Sequence, residues 1–139
     1  MARIIRTESG ATRRNRILNG MELALRAVAG RPDVGESEAR EVLAFLALSL
    51  AELNESVEET ARAWERREYW LKADRFRAEW GWAVSLQGSL DGALGSQDWT
   101  RARACGMELA SVLADRRLRP RASTSRPWTG AWNAWIQKR

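Results

Sequence analysis

Residues 63–82, AWERREYWLKADRFRAEWGW, set Trp64, Tyr69, Trp70, Phe76, Trp80 and Trp82 among Arg66, Arg67, Lys72, Arg75 and Arg77. Aromatic faces beside cations can stack nucleobases while the cations meet phosphates, or they can clamp two helices of one protein. On a helical wheel Glu59, Arg66, Trp70 and Arg77 share one stripe, beside the Tyr69, Phe76 and Trp80 face, so Trp70 lies between two cations. Aromatic stripes at helical spacing are most often core. Tyr69, Phe76 and Trp80 are therefore assigned to the interior, and Trp70 with Arg66 and Arg77 to a candidate nucleic-acid contact. Glu58 with Arg62, Glu68 with Lys72, and Arg75 with Glu79 stand four apart, the spacing of ion pairs on a solvated helix face. Asp74, three residues before Arg77, is placed to hold it or to accept an indole N–H.

Other chemistries are narrowed by what the chain lacks. With no histidine and a single cysteine, Cys105, it cannot build a Cys/His zinc site, an internal disulfide or a Ser-His-Asp or Cys-His mechanism. Carboxylate metal sites and lysine or carboxylate acid/base chemistry stay formally open. Asp74 has no acidic partner nearer on its side than Glu59, and no glycine leads into a GKS or GKT phosphate loop. No catalytic residue, metal ligand or cofactor is therefore proposed. Cys105, in RARACGMELASVL, reads as a buried thiol.

Charge is segregated along the chain. Residues 1–31 carry seven Arg against Glu8 and Glu22, residues 32–115 carry nine Lys or Arg against sixteen acids, and residues 116–139 carry six Arg and one Lys with no acid. All of the net +5 thus resides in the two ends. If the ends meet in space they form one patch able to follow a phosphate backbone. If they stay apart, each can meet the acidic middle of a neighbouring copy. A third possibility is a generally Arg-rich surface, since Arg outnumbers Lys by 21 to 2.

The elements that would position these residues are helices, because apolar residues recur at three and four and nowhere alternate as in a strand. A first helix starts near Ala11, buries Ile17, Met21, Leu25 and Val28, and ends at Gly30 and Arg31-Pro32. Asp33 and Glu36 signal a second start, and Val42, Leu46, Leu50, Leu53, Val57, Ala61 and Trp64 continue it. Ser56 to Glu59 also spells a capping box, yet the unbroken rhythm favours one continuous or slightly bent helix. Beyond Trp64 the stripe moves to Tyr69, Ala73, Phe76, Trp80, Ala83, Gln87, Leu90 and Leu94, as in a long helix that turns its buried face. Ser96 or Asp98 caps a further helix carrying Trp99, Ala102, Cys105, Leu109 and Val112 inward, with Arg116, Arg117 and Arg119 in its last turn and Pro120 as its stop. The nearly pure apolar run VLAFLALSLA (42–51) is ten residues long, about half a membrane span. No membrane association is expected, no secretory signal is visible, and the cytoplasm is the expected compartment.

These readings add up to an all-α protein: one bundle of about four helices over residues 1–119, and a basic Trp-rich tail over 120–139 that docks on the bundle or on a partner. Trp128, Trp132 and Trp135, spaced four and three, fit one side of a short terminal helix. Together, TESGATRRNR, AWERREYWLKADRFRAEWGW and PWTGAW resemble a family of small, uncharacterised all-helical bacterial proteins. That resemblance implies no activity and transfers no functional residue. In size, helicity and charge the chain is also similar to the small subunits of CRISPR effector complexes, which line bound nucleic acid. The expected function is a non-enzymatic nucleic-acid-binding or ribonucleoprotein subunit. Arg13, Arg14, Arg16, Arg116, Arg117, Arg119 and Arg121 would contact phosphates, with Arg66, Trp70 and Arg77 as a second contact. The alternative is an interaction or self-assembling scaffold that uses the acidic middle and docks Trp128, Trp132 and Trp135 on other subunits.

Overall fold

The computed structural model of the chain describes residues 8–29, 31, 36–120 and 125–139. Gly30, Pro32, Asp33 and Arg121, to which the sequence assigned roles, lie outside the described residues. Among those described there are six helices and no strand: α1 (Gly10–Val28), α2 (Glu36–Arg66), α3 (Trp70–Glu79), α4 (Gly81–Gly95), α5 (Trp99–Ala114) and α6 (Ala131–Gln137). α2, 31 residues long and thus about 46 Å, is the central rod and touches all five other helices. α1, α4 and α5 pack beside it, and α4 and α5 also pack on each other.

The stripe read from the sequence is the one α2 buries: Val42, Leu46, Leu50, Leu53, Val57 and Ala61. The helix runs unbroken through the Ser56–Glu59 box because Ser56 is buried and its hydroxyl accepts from Arg14 Nη1 at 3.3 Å instead of capping a new helix. α1 begins at Ser9, whose Oγ accepts from the Thr12 amide at 3.1 Å. Its buried side is Ile17, Leu18, Met21 and Ala24. Asp98 caps α5 by accepting from the Arg101 amide at 3.1 Å.

The helix expected across residues 64–94 is broken twice. α2 closes on a left-handed residue, Glu68 (φ 65°), with the Tyr69 amide bonded to the Trp64 carbonyl at 2.9 Å and the Glu68 amide to the Glu65 carbonyl at 2.9 Å. This pair of bonds is the usual helix-ending motif, with Glu where glycine is common. Arg66 and Trp70 therefore belong to different helices, and the single stripe through Arg66, Trp70 and Arg77 does not exist. A second break falls at Trp80 (φ −102°, ψ 10°), between α3 and α4. Gly81 follows it, without the Cβ that favours helix continuation.

α5 ends at Ala114. Arg116, Arg117 and Arg119 lie beyond it, not in its last turn, and Pro120 follows a helix already closed. Arg117 at φ 50° turns the chain back. The tail then packs α6 on α2. No helix among the described residues is long and apolar enough to cross a membrane.

Candidate functional site

The N-terminal arginines are occupied by partners within the chain, with Arg14 buried and Arg16 at the surface. Arg13 pairs with Glu52 at 3.4 Å and Glu59 at 3.2 Å, and Arg16 with Glu8 at 2.9 Å and Glu52 at 3.1 Å. Arg14 is 8% exposed, donates to Thr60 Oγ1 at 2.9 Å as well as to Ser56, and lies 4.9 Å from the Phe76 ring centre. Burial makes its guanidinium easier to deprotonate than a free one, although arginine stays charged in practice. Hydrogen bonds from Arg16 hold the Glu8 carboxyl below the usual carboxylate range. These three side chains join α1 to α2.

Arg77 is likewise internal in function. Its Nη1 and Nη2 reach Glu65 at 2.8 and 2.9 Å, and Nε and Nη2 reach Glu58 at 3.1 and 2.9 Å. Asp74 stands farther off at 3.8 Å. Both carboxylates are pulled below their ordinary range by hydrogen bonds from Arg77, whose own proton is held more firmly by Glu65 and then Glu58. Arg77 is thus the clamp between α2 and α3. Of the three ion pairs expected at four-residue spacing, Glu58–Arg62 forms at 3.3 Å. Glu68 lies in the turn, and Lys72 instead sits 4.4 Å over the Trp64 ring.

A continuous row of rings runs from α2 to α4. Trp64 meets Phe76 edge-on at 4.8 Å, Phe76 meets Trp80 at 6.4 Å, and Trp80 meets Trp82 at 5.9 Å. Arg14 and Arg116 both reach Trp80, at 6.0 and 4.4 Å, and Arg116 also reaches Trp82 at 5.7 Å. The two basic ends of the chain therefore converge on one buried indole. Arg117 and Arg119, next to Arg116, are exposed and make no ion pair among the described residues.

Tyr69, assigned to the core from its spacing, is 53% exposed, beside Trp70 at 59% and Leu71 at 62%. The turn at Glu68 resets the helical phase, so the wheel drawn through Trp64 no longer applies to α3. These residues border an open groove of about 630 Å³, lined also by Trp64, Phe76, Lys72, Arg75, Glu68 and Glu79. Arg66, the last residue of α2, and Arg67, which follows it, are exposed and immediately precede the turn at Glu68. Sequence reasoning missed Tyr69, Leu71, Arg67 and Arg75. One signal was present: three consecutive large residues, Tyr-Trp-Leu, span too wide an arc of a helix for all to face inward.

The tail is docked on its own chain. Trp128 and Trp135 are buried, Trp132 half-buried. Glu38 accepts from Arg126 at 3.0 Å and from the Trp128 indole at 3.4 Å, Glu41 accepts from the amides of Gly130 and Trp132, and Asp91 accepts from the Trp135 indole at 2.9 Å. Trp132 leans on Trp99 at 5.4 Å. Two of the three indoles that the alternative reading gave to a partner are thereby covered.

Cys105 is buried, and burial raises its thiol pKa. Among the described residues no group of His, Cys, Asp or Glu side chains is arranged to hold a metal. No family profile matches the chain, and comparison with curated proteins and with solved structures finds no match either.

Proposed function

We propose that the protein is a non-enzymatic nucleic-acid-binding subunit, of the kind that works inside a ribonucleoprotein, holding a phosphate backbone at the two ends of α3. The observation that carries this reading is the group of exposed arginines without an ion pair among the described residues near the two ends of α3: Arg116, over the Trp80 ring at 4.4 Å, with Arg117 and Arg119, and Arg66 and Arg67 just before its start. Arg117 and Arg119 follow Arg116 in the chain, Arg66 and Arg67 supply exposed cations before the other end of a helix only 10 residues long, about 15 Å, and Arg75 stands midway along it. Such a spread of unpaired guanidiniums follows a backbone without reading bases. The phosphate-binding role accordingly passes from the N-terminal arginines, which hold α1 on α2, to Arg66, Arg67, Arg75, Arg116, Arg117 and Arg119.

Binding of labelled oligonucleotides across a salt series tests this. Tight binding at low salt that weakens as salt rises is the expected outcome. Replacing Arg117 and Arg119 by Gln lowers the log–log slope by about 0.7–0.9 for each phosphate that is no longer neutralised, whereas Arg13→Gln leaves the slope unchanged and lowers the melting temperature. Negligible affinity at low salt overturns the proposal.

A further inference from the structure

The exposed rings at the α2–α3 turn go further than phosphate contact. We propose that the groove beside Tyr69 and Trp70 takes an unpaired nucleobase, which makes the protein a reader of single strands over duplexes. This inference rests on the nucleic-acid reading above and names its substrate class.

Three features carry it. Tyr69 and Trp70 present large aromatic side chains to solvent at 53% and 59% exposure, a cost in hydration free energy that a covering ligand removes. Trp64 and Phe76, packed edge-on at 4.8 Å, also line the groove, with Lys72 4.4 Å over Trp64. Arg75 lines the groove, and Arg66 and Arg67 immediately precede the turn at Glu68; all three are exposed cations without an ion pair among the described residues. Glu68 and Glu79 also line the groove, so a strand would keep its phosphates toward Arg75 and away from the carboxylates while a base enters between the rings. Bases have π-faces that stack on indole and phenol whatever their sequence, and stacking requires a base free of its duplex neighbours. A duplex offers only its backbone, to which the arginines respond but the rings do not. The left-handed closure at Glu68 brings this about: by ending α2 there, it leaves Tyr69 and Trp70 at the start of a new helix instead of inside a continuous one.

The test uses the full chain with 20-nucleotide oligo(dT) and a mixed-sequence 20-base-pair duplex, each titrated at several salt concentrations. Oligo(dT) is expected to bind tighter than duplex. Trp70→Ala should weaken oligo(dT) binding about tenfold, leave duplex affinity and both salt slopes unchanged, and leave thermal unfolding unchanged. Trp70→Phe should restore most of the loss, since a phenyl ring still stacks. Equal affinity for both forms, with no effect of Trp70→Ala on oligo(dT), overturns the single-strand inference and leaves the phosphate reading standing. If neither form binds at low salt, both fall. A chain that binds neither but self-associates in light scattering, with Trp70→Ala abolishing the association, makes the groove a protein surface and overturns both.

Discussion

At the scale of single residues, partner geometry assigns each arginine its role. Arg77 looked like a flank for Trp70, but four hydrogen bonds to Glu58 and Glu65 occupy its guanidinium. The pattern of α2 contained the acids, seven residues apart on one face, but nothing in it said that α3 would fold back to meet them. A pH dependence follows. Glu58 and Glu65 have folded-state pKa values depressed below 4.5 by Arg77, so their stabilisation is fully present above the unfolded value and is lost as pH falls through the folded ones. Arg77→Met should therefore lower the melting temperature at neutral pH, and the gap from the parent protein should narrow as acid protonates the two carboxylates below their ordinary range. Thermal melts of both proteins from pH 2 to 7 check this. A gap independent of pH would show that Arg77 acts by packing alone.

At the scale of elements, the termini were harder to read than the faces. The buried faces of α1, α2, α4 and α5 recur at three and four in the sequence, and helical periodicity exposes them directly. Helix ends at Glu68, Gln97 and Arg117 use left-handed residues that are not glycine, each costing about 1 kcal/mol in intrinsic backbone preference. No residue type announced them; the tertiary packing on either side outweighs the local cost. Gln97 repeats the arrangement of Glu68, with the Asp98 amide on the Ala93 carbonyl at 2.8 Å and the Gln97 amide on the Leu94 carbonyl at 3.1 Å. Gln87, a polar member of an apolar stripe, is explained only by Asn54, whose amide donates to it at 2.6 Å from α2. α6 is too short to be stable alone, so its helicity depends on Trp128, Ala131 and Trp135 being buried against the core. Trp135→Ala removes one of those anchors and orphans its hydrogen bond to Asp91, at an expected cost of about 3 kcal/mol. Thermal unfolding should shift down, and amides of residues 131–137 should lose hydrogen-exchange protection ahead of α2. Unchanged protection there would mean that α6 is held by something other than its indoles.

At the scale of the whole molecule, part of the segregated charge is satisfied within one chain. Glu52 and Glu59 of the middle take Arg13, Glu52 also takes Arg16, and Glu38 takes Arg126. Part of the basic charge of the ends is thus met by the acidic middle in cis, beside the convergence of Arg14 and Arg116 on Trp80. Light scattering of the full chain should accordingly give the mass of a single copy, 15.7 kDa. Removing residues 126–139 uncovers the apolar face of α2 around Phe45 and Leu48 and should give a mass that rises with concentration. A full chain that already associates, and stops doing so when the tail is removed, would instead support docking of the tail on a neighbour. Composition and periodicity by themselves determined the helical class, the buried stripe of α2, the buried Cys105 and the lack of a histidine-based or Cys/His metal chemistry, because these depend on residue type and on spacing within one helix. Tertiary structure alone decided which arginines are clamps and which are free, that Tyr69 and Trp70 face solvent, and that the tail lies on α2. Each of those depends on where one helix stops and which distant carboxylate or ring the next one meets, and local spacing carries no record of either.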